Sequence, residues 1–432
     1  MERSDRTGPS GPGNRDWAWG RLEDAHRVKK LLGYNRIDYA WELPESAVRF
    51  VVHVCDQVPR AAYARLPAQG GYRWVPQGGK AARQVIQMAM RAVHVVGLDA
   101  AKVSLAVRDG HVAVRRLEPY PGTHGDVSTG AYGDGPTGPC GDDPARAIPH
   151  DRSPLTLGAD PEFVLVANGE LLPASRFFPL TGQVGCDAFV NRDTGEHPLA
   201  ELRPPPAAEP GELVANIGTA LAGAHARLPW RSIRWLAGSM PVPGLGTGGH
   251  IHLGTAPSAG LVRALDSYLA VPLFLIEDPH RARERRTRYG FLGEIRLQPH
   301  GFEYRTPSSW LWSPDVTRGV IALARIIAGH HDQLAQDVFA QDEAHAAFYA
   351  GRREYFLPLL DPLWRDLVQA EGHSRDMTCA RLLFDMARDG PASEDVDLIR
   401  AWGIASARRA AANPARNLAV GPAVLPPAAA QF

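Results

Sequence analysis

The sequence predicts an α+β protein in two folded parts: a small N-terminal α+β domain, then a larger part in which an antiparallel sheet is flanked by helices. Three observations carry that expectation. From Leu155 to about Tyr304 the apolar pattern is strand-like, with two helical interruptions, whereas after Ser313 it falls at helical spacing. Between Pro121 and Pro154, 13 of 34 residues are Gly or Pro and aliphatic residues nearly vanish. Such a stretch buries too little apolar surface to offset its ordering entropy, so it reads as a linker between the two parts. Ahead of it, two short strand-like segments meet at Asp109-Gly110, a tight-hairpin signal.

Taken in order, residues 1–16 are rich in Gly, Pro, Ser and charge and read as a disordered tail. The first domain, 17–120, holds a strand at Val48–Val54, a helix over Gly79–Val96, and strands at Val103–Arg108 and His111–Leu117. The linker spans 121–154. The second domain, 155–412, has a sheet core over 155–312, interrupted by helices near Glu212–Ala226 and Ala259–Ile276. Pro314-Asp315 opens its helical part, 313–412, with helices at Val316–Leu334, Glu343–Arg353, Pro362–Ala370, Cys379–Ala387 and Val396–Ala407. Residues 413–432, rich in Ala and Pro, read as a loose tail.

Composition excludes several classes. In 432 residues, Lys plus Arg is 47 and Asp plus Glu is 47, a formal balance of zero that argues against a nucleic-acid or membrane-surface partner. No apolar run approaches the roughly 18 residues that span a bilayer, and Met1–Gly13 is polar, unlike a signal peptide. The four cysteines are scattered, without a CxxC pair. That pattern excludes a disulfide scaffold or a Cys-based zinc finger and fits a reducing cytoplasm.

The chemistry is carried by a recurring pair. Asp160-Pro161-Glu162, Glu201-Leu202-Arg203, His250-Ile251-His252, Glu294-Ile295-Arg296 and Glu303-Tyr304-Arg305 each set two ionisable residues one residue apart in strand-like sequence. In a strand, residues i and i+2 share a face. Any one pair reads as the solvated face of a sheet. Together they hold five carboxylates, three arginines and two histidines without a lysine, and acidic residues are poor strand formers that need a compensating reason. A shared face of carboxylates and imidazoles reads as a divalent-metal site, and the arginines beside it as clamps for phosphate or carboxylate groups.

The ordered set goes further. Leu157-Gly158-Ala159-Asp160-Pro161-Glu162-Phe163, Gly185-Cys186-Asp187, Glu201-Leu202-Arg203-Pro204, Gly248-Gly249-His250-Ile251-His252-Leu253-Gly254, Arg288-Tyr289-Gly290 and Gly301-Phe302-Glu303-Tyr304-Arg305-Thr306, with Ser308-Ser309-Trp310, follow one another in that order. They resemble the phage-type COOH–NH2 ligases of type 2, amidoligases in the superfamily of glutamine synthetase and glutamate–cysteine ligase. The resemblance covers about residues 155–330 and loosely the helices to about 410.

The resemblance implies a curved antiparallel sheet of glutamine-synthetase type whose concave face holds ATP and two or three Mg²⁺ or Mn²⁺ ions. It implies phosphorylation of a substrate carboxylate and attack by an amine on the acyl phosphate. The partners would be ATP, a carboxylate and an amine, each a small molecule, a peptide or a cell-wall fragment. Asp160 and Glu162 would be the acidic pair of the first metal-binding strand, with Asp160 shorter than the Glu the superfamily more often has. Glu201 would be the next metal carboxylate, and Asp187 a substrate or metal contact. His250 would sit beside the nucleotide-side metal and His252 nearer phosphate or substrate, with a catalytic role. Glu303 would be the late metal-binding and catalytic glutamate, and Arg305 would meet the transferred phosphoryl group. Arg203, Arg288 and Arg296 would hold nucleotide phosphates. Phosphoryl transfer asks mainly for positioning and charge neutralisation, which this residue set supplies.

Other features have plainer readings. Arg281–Arg288 is a basic segment, read as solvated except for Arg288. Trp310 and Trp312 read as core, Cys186 as a small buried apolar residue, and Gly248-Gly249 equally as a ligand-approaching backbone or a turn. Gly97-Leu98-Asp99, the hairpin and Leu117-Glu118-Pro119-Tyr120-Pro121-Gly122 resemble the C-terminal end of an ATP-grasp domain, with Ser104 and Tyr120 where that family has Asp and Asn. That implies a degenerate remnant that binds or scaffolds. Two alternatives stand beside the ligase: a zinc hydrolase using His250 and His252, and a non-catalytic scaffold that keeps the fold.

Overall fold

The computed structural model describes residues 16–40, 46–67, 71–76, 79–120, 155–228 and 232–404. The tail expected before residue 16, the linker 121–154 and the tail 413–432 lie outside the described residues.

The N-terminal part begins with α1 (Asp16–Leu22) and α2 (Ala25–Tyr34), then β1 (Asp38–Tyr39), β2 (Val48–Cys55), β3 (Val58–Arg65), β4 (Arg73–Trp74), α3 (Lys80–Val95), β5 (Ala100–Arg108) and β6 (His111–Pro119). Its sheet runs β1-β6-β5-β2-β3-β4, antiparallel apart from β1 on β6. Asp109 and Gly110 both take positive φ, 49° and 80°, as a tight β5–β6 turn requires. Five elements went unread in the sequence, among them the two-residue strands β1 and β4. α2 is short and starts on Asp24, whose carboxylate accepts from the His26 and Arg27 amides. α1 shares its Gly-containing, Trp-rich beginning with the polar tail. β3 is rich in Ala and contains Pro59, both poor strand formers; pairing with β2 through the Asp56-Gln57 turn, φ 54° and 61°, overrides that preference.

The second part runs β7 (Leu157–Ala167), β8 (Glu170–Leu172), β9 (Val184–Cys186), β10 (Ala200–Leu202), α4 (Pro210–Arg227), β11 (Arg234–Leu236), β12 (Gly249–Leu253) and α5 (Ala259–Ala264). A π-helical turn over Leu265–Ala270 leads into α6 (Val271–Ile276), α7 (Pro279–Arg285), β13 (Ile295–Gln298) and β14 (Gly301–Tyr304). The helices α8 (Pro314–His330), α9 (Asp342–Ala350), α10 (Arg353–Phe356), α11 (Leu360–Glu371), α12 (Arg375–Asp389) and α13 (Leu398–Ala401) follow. The fold class is mixed α+β, with the sheet ahead of the helices. Strand order is β13-β14-β12-β7-β10-β9, every pair antiparallel, with β8 and β11 also on β7. β7 is the organiser: its first half pairs β12, its middle β10 and its end β8 and β11.

One apolar core joins the two parts, from Val93 and Leu98 to Leu292, Phe274 and Leu323. Polar ties reinforce it. Buried Arg21 donates to the Phe339 and Ala340 carbonyls at 3.2 and 2.6 Å, and Asn35 Nδ2 lies 3.0 Å from His345 Nδ1. The stretch Ala259–Ile276 corrects the expectation about apolar runs. By length and composition it is able to cross a membrane, and 94 % of it is buried inside the protein. Arg263 and Asp266 hid it in the sequence. Both are paired in the core, Arg263 with Asp99 and Asp266 with His94 and Tyr304. Among the described residues the ATP-grasp-like segments carry no acidic cluster: Glu118 pairs with Lys102 and Arg116 at 3.4 and 3.6 Å, and Ser104 faces Arg116.

Candidate active site

Strand register brings the ionisable pairs together. Glu201 on β10 faces Glu162 on β7, Asp160 on β7 faces His250 on β12, His252 on β12 faces Glu303 on β14, and Glu303 faces Arg296 on β13. Residues directly opposite in an antiparallel pair share a face. Five strands thus lay one continuous row of acids, imidazoles and a guanidinium across the sheet. Phe163, Leu202, Ile251 and Tyr304 alternate with them and are fully buried in the core.

The row is close-knit. His250 Nδ1 lies 3.3 Å from both Asp160 Oδ1 and Glu303 Oε1, and His252 Nε2 lies 3.1 Å from Asp160 Oδ1. Glu303 Oε2 accepts from Arg296 Nε at 2.6 Å and from Gln298 Nε2 at 3.0 Å. Arg305 spans two acids, with Nε 3.0 Å from Glu303 and Nη1 3.5 Å from Glu294. Arg203 pairs with Glu201 and donates to the Cys186 carbonyl at 2.9 Å. The Gly248 amide donates to Glu162 Oε2 at 2.8 Å. Glu303 is 0 % exposed, and the other acids and His250 are nearly as buried.

Burial and charge pull these groups apart. Burial raises the Asp160 carboxyl, but the His250 and His252 imidazoles 3.3 and 3.1 Å away outweigh it and hold Asp160 well below the usual carboxylate range. Glu162 is pushed up to about 7 by burial, with His250 and the Gly248 amide opposing. Burial lowers His250, yet Asp160 outweighs it and raises the imidazole. Arg305 is likewise raised by Glu294 and Glu303 against burial.

The donor set fits divalent cations. Three overlapping groups, Glu162–Asp187–Glu201, Asp160–Glu201–His250 and Asp160–His252–Glu303, each place one ligand atom per residue within 4.8 Å of the others. Asp160 Oδ1, His250 Nδ1 and Glu303 Oε1 are buried without a hydrogen-bond partner, an arrangement that costs free energy unless something coordinates them. The all-oxygen group suits a hard cation such as Mg²⁺, and the mixed groups also suit Mn²⁺.

Asp160, Glu162, Glu201, His250, His252, Glu303, Arg203, Arg296 and Arg305 therefore lie together, and Asp187, half-buried, joins the Glu162–Glu201 end. Arg288 stands apart, exposed at the rim of the adjoining cavity. Two expectations change. Gly248-Gly249 serves packing: a Cβ on Gly248 would lie 2.4 Å from the His250 ring, and one on Gly249 2.3 Å from the Ser308 carbonyl. Arg281–Arg285 belongs to α7, and within the basic segment two arginines are internal. Arg285 donates to the Thr306 and Pro307 carbonyls and Arg286 to Glu277. Gln298 and His300 were missed. His300 Nε2 lies 3.1 Å from His252 Nδ1, but it sits in the turn between β13 and β14, where strand spacing flags nothing.

The family model for the phage phiEco32-like COOH.NH2 ligase type 2 matches residues 157–404, which include every strand of the row. The chain belongs to this family. It is a family of carboxylate–amine ligases. No curated protein matches the chain. Among solved structures, a bifunctional glutathione synthetase from Pasteurella multocida is similar at 12 % identity with a TM-score of 0.38. That match covers 57 % of the ligase and 49 % of the synthetase, so the ligase spans about half of that protein. In the ligase, the Glu162 end of the row opens into a cavity of about 1100 Å³, with Asp187, His250 and Arg305 in its floor and Arg288 and Tyr289 at its rim.

Proposed function

We propose that the ligase uses ATP, with two or three Mg²⁺ or Mn²⁺ ions, to join a carboxylate to an amine through an acyl phosphate. The observation that supports this reading is the convergence of Glu162, Asp187, Glu201, Asp160, His250, His252 and Glu303 into three overlapping donor groups beside Arg203, Arg296 and Arg305. These residues would hold the cations, which would supply charge neutralisation to the phosphate groups.

A substrate carboxylate oxygen attacks the γ-phosphorus, the bond to the bridging oxygen breaks, and ADP leaves. The amine nitrogen then attacks the acyl carbon, the carbon–oxygen bond to phosphate breaks, and phosphate leaves. The nitrogen gives up a proton, for which half-buried Asp187 is one of the carboxylates lining the cavity. Arg305 is held by Glu303 and Glu294 and directs its remaining N–H groups at the transferring phosphoryl group. Arg296 and Arg203 each keep one acid of the row in place, and the walls of the cavity exclude water from the acyl phosphate.

The test is ADP release in the presence of Mg²⁺ across a panel of carboxylate and amine pairs, with Glu303→Gln as control. The variant is expected to lose at least about 10²-fold in rate, the loss typical of a transition-state charge partner, while keeping its circular dichroism. Equal rates would remove the assignment. Tightly held stoichiometric Zn²⁺ without nucleotide binding would point to the hydrolase instead.

A further inference from the structure

The cavity beyond the metal-fitting row has two walls of different origin. One comes from the ligase part: the loop with Phe189 and Arg192, and the α7 end with Arg288 and Tyr289. The other comes from the N-terminal part: Arg36, Ile37 and Asp38 at the α2–β1 corner, Gln84 and Met88 on α3, and Gly110 at the β5–β6 hairpin tip. This second wall is fixed to the site. Gln87, one turn from Gln84, donates to the Ile295 carbonyl on β13 at 2.6 Å, next to Arg296. The Arg91 guanidinium lies 4.0 Å from the centre of the Phe291 ring and donates to the Asn35 carbonyl at 2.6 Å.

The chemistry of the cavity is mixed. Arg36, Arg192 and Arg288 are exposed and make no ion pair among the described residues. Asp38 and Asp193 carry the opposite sign, Gln84 adds an amide, and Ile37, Met88 and Tyr289 add apolar surface. Volume separates the options further. Sites for a single small ligand run to roughly 300–1,000 Å³, and about 1100 Å³ leaves room for more than a nucleotide. Both charge signs, amide and apolar surface in one space of this volume match a peptide better than a free amino acid.

We infer that the N-terminal part is the substrate-selecting wall of this ligase, and that Arg36, Gln84 and Met88 contact the portion of a peptide substrate lying beyond the reacting group. The inference rests on the ligase reading and adds the substrate class and the residues that choose it.

The experiment uses the full chain. ADP release is compared between a pool of mixed-charge tetrapeptides and a pool of free amino acids, and AMPPNP binding with Mn²⁺ is measured by calorimetry. The tetrapeptide pool is expected to be preferred by at least about tenfold in kcat/KM. Arg36→Asn and the pair Gln84→Ala/Met88→Ala are expected to raise KM for tetrapeptides about tenfold and to leave AMPPNP affinity unchanged. Asn tolerates the φ of 57° at position 36, and the second variant reports if the first misfolds. AMPPNP binding with a preference for free amino acids or oligosaccharide amines would overturn the inference and spare the ligase reading. Peptide KM values unmoved in both variants would also overturn it. Absence of AMPPNP binding to the wild type would overturn the ligase reading itself, and the inference with it.

Discussion

Glu201 and Glu162 face each other directly across the β10–β7 strand pair, two carboxylates where a sheet ordinarily avoids like charges. Arg203 meets one of them and the Gly248 amide the other, and with Asp187 they form an all-oxygen group. Glu162→Gln removes one charge and can keep the Gly248 hydrogen bond. The metal-free variant is expected to be as stable as the wild type or up to about 1 kcal/mol more stable, a rise in Tm of about 1 °C for a chain of this length. Its Tm should no longer rise with millimolar MnCl₂, whereas that of the wild type should. Differential scanning fluorimetry decides, and a full Mn²⁺ response in the variant would remove Glu162 from the cation group.

Arg305 tests the phosphoryl role. Its guanidinium reaches Glu303 and Glu294 at once, 3.0 and 3.5 Å away. Lysine keeps the charge and loses the planar fork. Arg305→Lys is expected to lower kcat for ADP release about 10²-fold with Tm changed by little. A kcat within a factor of two of wild type would assign Arg305 to structure alone.

Gly249 tests the packing under the row. An added Cβ would meet the Ser308 carbonyl at 2.3 Å and the Trp310 ring at 2.6 Å, and Trp310 Nε1 donates to the Gly249 carbonyl at 2.8 Å. The backbone on one side cannot yield cheaply. Gly249→Ala is expected to lose about 1–3 kcal/mol in urea denaturation, and an unchanged midpoint would contradict the tight contact.

His345 gives a pH signature away from the active site. It is buried between α9 and α2, with Nε2 on the Phe339 carbonyl and Nδ1 against Asn35. Burial and the Arg21 cation lower its pKa to about 3, with His94 adding to the lowering and the Phe339 carbonyl and Asp342 opposing. The folded value lies below the unfolded one, so the unfolded chain binds the proton more readily. Stability from this group is complete above about pH 6.5 and is lost as pH falls toward 3, by roughly 1.4 kcal/mol per unit. His345→Gln is expected to flatten that part of the stability profile. A slope that survives the substitution would assign it to other groups.

The chemistry of the row was legible because i, i+2 spacing is local: the pleat alone puts Asp160 with Glu162 and His250 with His252. Most helices were legible for the same reason, as with α8, where Ser313 and Pro314 mark the start. What went unread depended on distant partners. β3 forms only because β2 pairs with it, His300 matters only because the β13–β14 turn returns it to His252, and Arg285 looks solvated until the Thr306 and Pro307 carbonyls close over it.

Residue types and their alternation, set by backbone geometry within a few positions, were enough to assign an α+β chain with a carboxylate–histidine–arginine face. The tertiary structure decided which strand lies beside which, and so that Glu201, Glu162, Asp160, His250 and Glu303 converge in overlapping groups that could hold a cation. It also decided that the N-terminal part walls the cavity those residues open into. Both outcomes come from pairing and packing between segments far apart in the chain, whose free energy no short window of sequence contains.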